Sequence, residues 1–410
     1  MKRSLLATFS VLGPGFAVAA TGIGAGDVVA AAVSGAQFGT VVLWAAVVGA
    51  VLKFVLNEGI ARWQLATGTT LLEGWGVHLH RFVLIGFMIY LVLWTFVVAG
   101  ALIAAGGLAA HAVVPGVSVA AWGVLHSLVA LVLVFFGRYA LFEGLMKGFI
   151  VLMFTTVLLC AGLIEPDWSA VAKDLVVPAV PVGSGPFLLG VIGGVGGSVT
   201  LMSYSYWIRE RGWNGPSFHR QARLDLGAAY LLTGLFGIAI IIVASGVEAE
   251  QMRGNEMALA LARHIGVVVG PVGQGIFLAG FWGAVFTSML GVWQGVPYLF
   301  ADFVHTLRQR GDGDPSGAVD TRSPYYRGYL LFIAVPPMLL LIVDRPVWIV
   351  LVYSVASAFF MPFLAATLLY LNNRRTLVTT LKNGWRVNAL LGLALLLFGY
   401  LCINELATRF

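Results

Sequence analysis

Apolar residues fall in blocks long enough to cross a bilayer, and polar residues collect in the stretches between them. At about 20 residues per crossing, the blocks predict eleven spans, at about 10–35, 39–61, 82–108, 119–137, 144–164, 186–208, 226–246, 270–303, 328–343, 347–371 and 387–404. The eighth is longer than a bilayer requires and must tilt or project beyond it. Two blocks are interrupted. Gly22-Ile23-Gly24-Ala25-Gly26-Asp27 breaks the first and Gly193-Gly194-Val195-Gly196-Gly197-Ser198 the sixth. Glycine is a poor helix former, so both helices are expected to unwind there. The breaks are matched: Pro14 to Gly24 is ten residues, and Pro186 to Gly196 is ten. Paired interrupted helices in equivalent halves of a chain point to a transporter's binding site.

Composition agrees with the blocks. Hydrophobic residues are 60% and charged residues 10% of the 410, and mean hydropathy is +0.93. No soluble core needs so much apolar surface, so the fold class is an all-α polytopic membrane protein. Cys160 and Cys402 both fall in apolar blocks, which argues against a disulfide framework or a thiolate metal site.

The net charge of +6 is not a nucleic-acid signature, because its distribution follows the membrane. With the N-terminus inside, 17 Lys and Arg fall on the cytoplasmic side, 5 on the other, and Lys53 and Lys147 within spans. This positive-inside pattern predicts an inner (plasma) membrane protein with its N-terminus cytoplasmic and its C-terminus outside. Met1-Lys2-Arg3 and the apolar run after it also resemble a cleavable signal peptide, but cleavage would destroy the first of the matched breaks.

The polar segments are plain. The loop 308–327 reads as a cytoplasmic link. Its Asp312 and Asp314 resemble the start of a calcium loop without the required Glu. Residues 248–264 have helical periodicity and read as an outer surface helix. No phosphate-binding loop, His-Glu-x-x-His or strand-borne glycine fingerprint is present, so no enzyme activity and no cofactor are expected. His78 and His80 at a membrane edge fit solvation better than a metal site.

Specific stretches resemble the Nramp family of divalent-metal transporters. Gly13-Pro14-Gly15-Phe16, Gly26-Asp27 and Ser34-Gly35-Ala36-Gln37-Phe38-Gly39 are similar to that family's first span. Ala61-Arg62-Trp63-Gln64-Leu65-Ala66-Thr67-Gly68 with Leu72-Glu73 resembles the stretch after its second. Leu371-Asn372-Asn373-Arg374-Arg375 resembles the Asn-Arg-Arg after its tenth. The resemblance implies the leucine-transporter-type fold, with two inverted five-helix repeats, one extra helix, and helices 1 and 6 unwound around a central ion. The repeats are expected at residues 1–165 and 183–372, and the eleventh helix with the C-terminus at 373–410.

The departures are as informative. The family's Asp-Pro-Gly-Asn is in register with Gly24-Ala25-Gly26-Asp27, so its metal-binding aspartate is glycine here and the carboxylate has moved to Asp27. The sixth-helix Met-Pro-His is absent. Val199-Thr200-Leu201 or Met202-Ser203-Tyr204 stands in its place, depending on register; the repeat spacing favours the first, and only the second keeps a thioether. In the family the third span carries acidic residues that serve proton movement. Here Val83 to Gly107 has none, and Tyr90, Trp94 and Thr95 are its main polar groups.

A site between the breaks would draw on the Asp27 carboxylate as metal ligand, on carbonyls freed at Gly24 and Ala25, and on the hydroxyls of Ser198, Thr200, Ser203 and Tyr204. Gln294 loosely matches an eighth-span glutamine of the family. Such oxygen donors suit hard cations such as Mg²⁺, Ca²⁺ or Mn²⁺, and a largely hydrated ion suits a single carboxylate best. Met202 is the one soft donor, and methionine in an apolar helix usually only packs. Asp27 would alternatively cap the second half of the broken helix, and the glycines would alternatively serve close packing. Lys53 and Glu58, and Glu143 and Lys147, are expected to pair with each other or with neighbours. The expected function is transport of divalent cations without proton coupling. The competing reading keeps the fold and moves a small organic or amino-acid-like substrate, with Na⁺ as a possible companion. A membrane sensor or enzyme lacks any appended domain or nucleophile. Lipid bilayer and transported ion are the expected partners, with no nucleic acid and no obligatory protein partner.

Overall fold

A computed structural model describes residues 13–137, 139–194, 197–252, 257–309, 319–343 and 345–409. Among them every element is helical. The N-terminal twelve residues and residues 310–318 of the 308–327 loop, including Asp312 and Asp314, lie outside the described residues.

The first span is two helices, α1 (Pro14–Gly22) and α2 (Ala25–Phe38), separated by Ile23 and an extended Gly24. Pro14 starts α1, where a missing N–H costs nothing. Asp225 accepts hydrogen bonds from the amides of Gly13 (3.2 Å) and Gly15 (2.6 Å). A buried carboxylate thus caps the positive end of α1. A Cβ on Gly15 would come within 2.5 Å of the Asp225 carbonyl, so the Gly-Pro-Gly stretch is cut to this contact.

The second span is α3 (Leu43–Thr67), closed by Gly68 at φ +74°. This is the left-handed position that glycine fills without strain. Thr70 and Glu73 then form a capping box that starts α4 (Leu71–His78). Each side chain satisfies the other's backbone amide. Next come α5 (Arg81–Val113), α6 (Val119–Phe136), α7 (Tyr139–Leu163) and a short helix α8 (Trp168–Val176). Gly107 and Gly123 let α5 and α6 approach until an added Cβ would meet the carbonyls of Val119 (2.1 Å) and Ile103 (2.6 Å). Small residues are how helices approach closely in lipid.

The sixth span is again split. Between α9 (Gly185–Gly194) and α10 (Ser203–Glu210) the described chain has a left-handed Gly197 (φ +84°), Ser198 and one tight turn over Val199–Met202, while Val195 and Gly196 lie outside the described residues. The rest is α11 (His219–Ala244), α12 (Met257–Val269), α13 (Pro271–Gln309), α14 (Pro324–Ala334), α15 (Pro346–Ala358), α16 (Phe360–Leu371), α17 (Arg375–Val378) and α18 (Trp385–Arg409). α13 has 39 residues. At about 1.5 Å each it is nearly twice the hydrocarbon thickness. After α14, Pro336 and Pro337 turn the chain to a 3₁₀ path through Val343. Pro362 similarly accounts for the interruption between α15 and α16, since it cannot bond back to Ala358.

Nine helical stretches among the described residues are long and apolar enough to cross a membrane. In that count α2 and α3 run together from Val28 to Thr67. The segment expected as a surface helix is a short turn at Ala249–Met252 followed by α12, whose Met257, Leu261 and Ile265 face is buried. Lys53 and Glu58 pair with neighbours, not with each other. Glu58 holds Arg62 (2.6 Å) and His219 (2.7 Å), joining α3 to α11. Glu143 and Lys147 pair at 2.6 Å. Asn372 donates to the Gly59 carbonyl (2.9 Å), and Asn373 and Asn388 pair with each other, so the Asn-Asn of the 371–375 stretch fixes α16 and α18 to α3.

Replacing Asp225 with alanine strips α1 of its cap and leaves two buried amides unpaired. Hydrogen bonds to a charged group contribute about 1.5–3 kcal/mol each. The expected outcome for Asp225→Ala is a clear fall in apparent melting temperature in detergent. An unchanged melting curve would contradict the capping role.

Candidate functional site

The two breaks meet. A Cβ on Gly197 would lie 3.7 Å from the Gly22 Cα. On the first break, Ser288 of α13 donates to the Thr21 carbonyl (2.7 Å), one of the groups freed where α1 stops. α13 presses so close that a Cβ on Gly24 would overlap the Ser288 hydroxyl (2.0 Å), and one on Gly291 the Thr21 hydroxyl (1.8 Å). Glycine at Gly24 therefore serves two ends: it ends the helix and admits α13.

On the second break the partner is a cation from the protein itself. Lys53, fully buried in α3, donates from Nζ to the carbonyl of Gly193 (2.7 Å) and to that of Gly197. The C-terminal end of α9 carries partial negative charge, so an ammonium is favoured there. Buried charge is costly unless paired and hydrogen-bonded, and these carbonyls supply the bonds.

Around the junction the hydroxyls of Thr21, Ser198 and Ser203 are buried and have no hydrogen-bond partner among the described residues. Such orphaned groups are uncommon in a folded interior. Thr200 lies beside Gly197, 2.5 Å from where a Cβ would be. Met202 is buried immediately before α10. Two expected site residues are turned to other partners. Tyr204 donates to Asp225 (2.9 Å), and the Gln294 amide oxygen accepts from Trp207 (2.6 Å). Asp27 is the third residue of α2, on the first turn after the break. The side chains of Ala25 and Asp27 lie outside those described.

The Nramp family profile, described as Natural resistance-associated macrophage protein-like, matches residues 15–408. This chain belongs to the Nramp family. It is a multi-pass membrane protein of a family of divalent-metal transporters. A manganese transporter of Eremococcus coleocola, solved as a histidine-to-alanine mutant, is similar with a TM-score of 0.77 at 16% identity, covering 97% of this chain and 86% of that one. The same transporter in complex with an aromatic bis-isothiourea substituted compound gives 0.78 at 16%, covering 98% and 87%. Mhp1, a nucleobase-cation-symport-1 family transporter in a closed conformation with bromovinylhydantoin bound, gives 0.53 at 15%, covering 97% and 93%. At these identities the likeness is one of fold. No curated protein matches the chain.

Two features of this Nramp chain escaped sequence reading. One is the Lys53 contact. Its signal was an unexplained lysine inside an apolar span, which by default marks function. The other is how α10 is held. Tyr204 bonds Asp225, Tyr206 bonds Asp302 (2.5 Å), Trp207 bonds Gln294, Arg209 bonds Glu73 (3.2 Å) and the Gly68 carbonyl (2.9 Å), and Glu210 accepts from Tyr298 (2.9 Å). Just past the helix, Arg211 pairs with Glu143 (3.6 Å). One short helix is thereby tied to α4, α7, α11 and α13. Burial, and then the nearby Asp302 carboxylate, push the Glu73 carboxyl up to about 7. A cavity of about 520 Å³ runs beside α10, lined by Gln294, Tyr298, Glu210, Arg322 and Arg327.

The polar groups of the third span are occupied by the scaffold. Tyr90 donates to the Ala356 carbonyl (3.2 Å), Trp94 to Ser357 (2.9 Å), and Thr95 bonds Tyr329 (2.9 Å). None is a group that exchanges protons near neutral pH.

Lys53→Met removes the ammonium and leaves the Gly193 and Gly197 carbonyls unpaired, at a cost of about 1–3 kcal/mol each. The variant should melt earlier than wild type, and added Na⁺, K⁺ or Mg²⁺ should restore part of the loss by occupying the vacated carbonyls. Thermal-shift assays check this. Equal melting of variant and wild type would mean that the ammonium does not hold the break together.

Proposed function

We propose that this Nramp chain carries divalent cations, Mg²⁺ or Mn²⁺, across the membrane through a site at the junction of the two helix breaks. Asp27 supplies the charge. The hydroxyls of Ser198, Thr200 and Ser203 supply neutral oxygens, together with the Ala25 carbonyl and the second lone pair of the Gly24 carbonyl, which is not freed by the break but accepts from the Val28 amide (2.9 Å). Met202 would pack nearby, and Tyr204 and Gln294 would contribute only by releasing Asp225 and Trp207. The observation that carries this reading is the meeting of the breaks at Gly22 and Gly197, with three unpaired hydroxyls beside them. Lys53 already occupies two carbonyls of the sixth break. The first break therefore supplies the ion's charged ligand, the sixth break hydroxyls and not carbonyls, and water the rest, since the Thr21 and Gly24 carbonyls are bonded too. Mg²⁺ gives up water reluctantly and accepts such sparse, hard coordination.

The same reading has transport uncoupled from protons. The third span holds no acid, and its polar groups are committed to α14 and α15. We further propose eleven crossings, with α1–α2 and α9–α10 as the two interrupted spans, a first repeat at residues 1–165, a second at 183–372 and the eleventh helix beyond. The proposed orientation is N-terminus inside and C-terminus outside, in the plasma (inner) membrane.

One observation favours a second reading. The Lys53 ammonium would attract a carboxylate, so a small organic or amino-acid-like substrate, with or without Na⁺, fits the same junction. Binding of Mg²⁺ or Mn²⁺ to purified protein, set against a panel of amino and organic acids, separates the two.

Asp27→Asn keeps size and capping ability, whereas Asp27→Ala removes both. Both should abolish cation binding while the Asn variant keeps wild-type thermal stability. Wild-type binding by a folded Asn variant would sink the assignment. In proteoliposomes carrying a pH dye inside, an inward Mn²⁺ or Mg²⁺ gradient should leave the dye signal unchanged. Ion-driven acidification would show proton coupling and overturn that part of the proposal.

A further inference from the structure

Away from the junction, the capping box of α4 meets α13 in a cluster of metal-ligating groups. One carboxylate oxygen each from Glu73 and Asp302 and a ring nitrogen of His305 lie within 4.8 Å of one another. Glu73 and Asp302 are buried, with relative exposures of 6% and 1%. Asp302 and His305 stand three residues apart on α13, so they share a face.

In each carboxylate one oxygen is held by short hydrogen bonds and the other is held weakly or not at all. Glu73 Oε2 accepts from the Thr70 amide (2.6 Å) and from Arg209 (3.2 Å). Glu73 Oε1 is buried and has no hydrogen-bond partner among the described residues. Asp302 Oδ2 accepts from Thr70 (2.7 Å) and Tyr206 (2.5 Å), whereas Oδ1 accepts a long bond from Thr306 (3.5 Å). The held oxygens orient the carboxylates, which is how metal ligands are commonly supported. Among the described residues, the two carboxylates are faced by the Arg209 guanidinium, which approaches Glu73 at Oε2, and by the His305 imidazole, which carries a full charge only when protonated. That imbalance and the orphaned Oε1 both call for a cation on the Oε1 side.

We propose that Glu73, Asp302 and His305 form a second divalent-cation site, separate from Asp27. Donors each about 2.0–2.2 Å from one ion lie roughly 3–4.4 Å apart, and the observed spread needs little adjustment to reach that. An imidazole with two carboxylates suits Mn²⁺, Fe²⁺ or Zn²⁺ better than Mg²⁺, which prefers oxygen alone. Occupied, the site joins α4 to α13 beside Tyr206 and Arg209, the residues that fasten α10. A bound ion therefore strengthens the fastening of the half-helix that closes the sixth break, and so bears on when that half-helix is free to move. The rival arrangement is a proton shared between the carboxylates, with no metal.

The proposal does not depend on Asp27 and is tested without it. Purified full-length Asp27→Asn protein is titrated with Mn²⁺, and free Mn²⁺ is read by electron paramagnetic resonance. One saturable ion per chain is expected, and Mg²⁺ should compete weakly. Adding Glu73→Gln or His305→Ala should weaken Mn²⁺ binding by about tenfold or more. His305 is only half-buried, so its variant decides the matter if Glu73→Gln lowers the melting temperature. Absence of Mn²⁺ binding in the Asp27→Asn protein, or undiminished binding in both double variants, would overturn the site. The difference between wild type and Asp27→Asn reports the junction alone, so failure of one site is not mistaken for failure of the other.

Discussion

A helix that breaks inside a bilayer frees backbone groups that lipid cannot satisfy. Everything distinctive about this chain follows from how those groups are met. Ser288 takes the carbonyl of Thr21 at the first break. Lys53 takes those of Gly193 and Gly197 at the second. Asp225 takes the amides at the start of α1. Each partner comes from a different helix, so the breaks also fix α3, α11 and α13 around them.

The Lys53 contact has the widest reach. An ammonium buried in a low-dielectric interior costs several kcal/mol unless well bonded. Here it is bonded by the Gly193 and Gly197 carbonyls at the sixth break. On the proposed reading, a fixed charge does permanently what a bound ion does elsewhere. That leaves the first break, with Asp27, as the place where a mobile cation is held. It also explains why oxygen donors can be so few: a largely hydrated ion needs one carboxylate and a few hydroxyls.

Much of the fold was legible because it rests on local signals. The glycine clusters mark the breaks by propensity alone, and their matched distance from Gly-Pro relates them to each other. The Thr70–Glu73 capping box and the prolines Pro336 and Pro362 are local signals as well, which the span reading passed over. The site was less legible because its contacts are long-range. Nothing near Lys53 in sequence names Gly193, 140 residues away. Tyr204 and Gln294 were read as site donors by position, and their hydrogen bonds to Asp225 and from Trp207 depend on how α10 packs. Asp225 and Asp302 are single acids in apolar helices, a pattern that intramembrane cost alone could have flagged.

The most direct test is a structure of the full-length protein with Mn²⁺ bound, recorded so that the ion's anomalous signal locates it. The account places an Mn²⁺ peak beside Asp27 at the junction of the breaks, with the Lys53 ammonium still on the Gly193 and Gly197 carbonyls. A junction with no peak at saturating Mn²⁺, or a peak that displaces Lys53 and leaves Asp27 unbound, would contradict it.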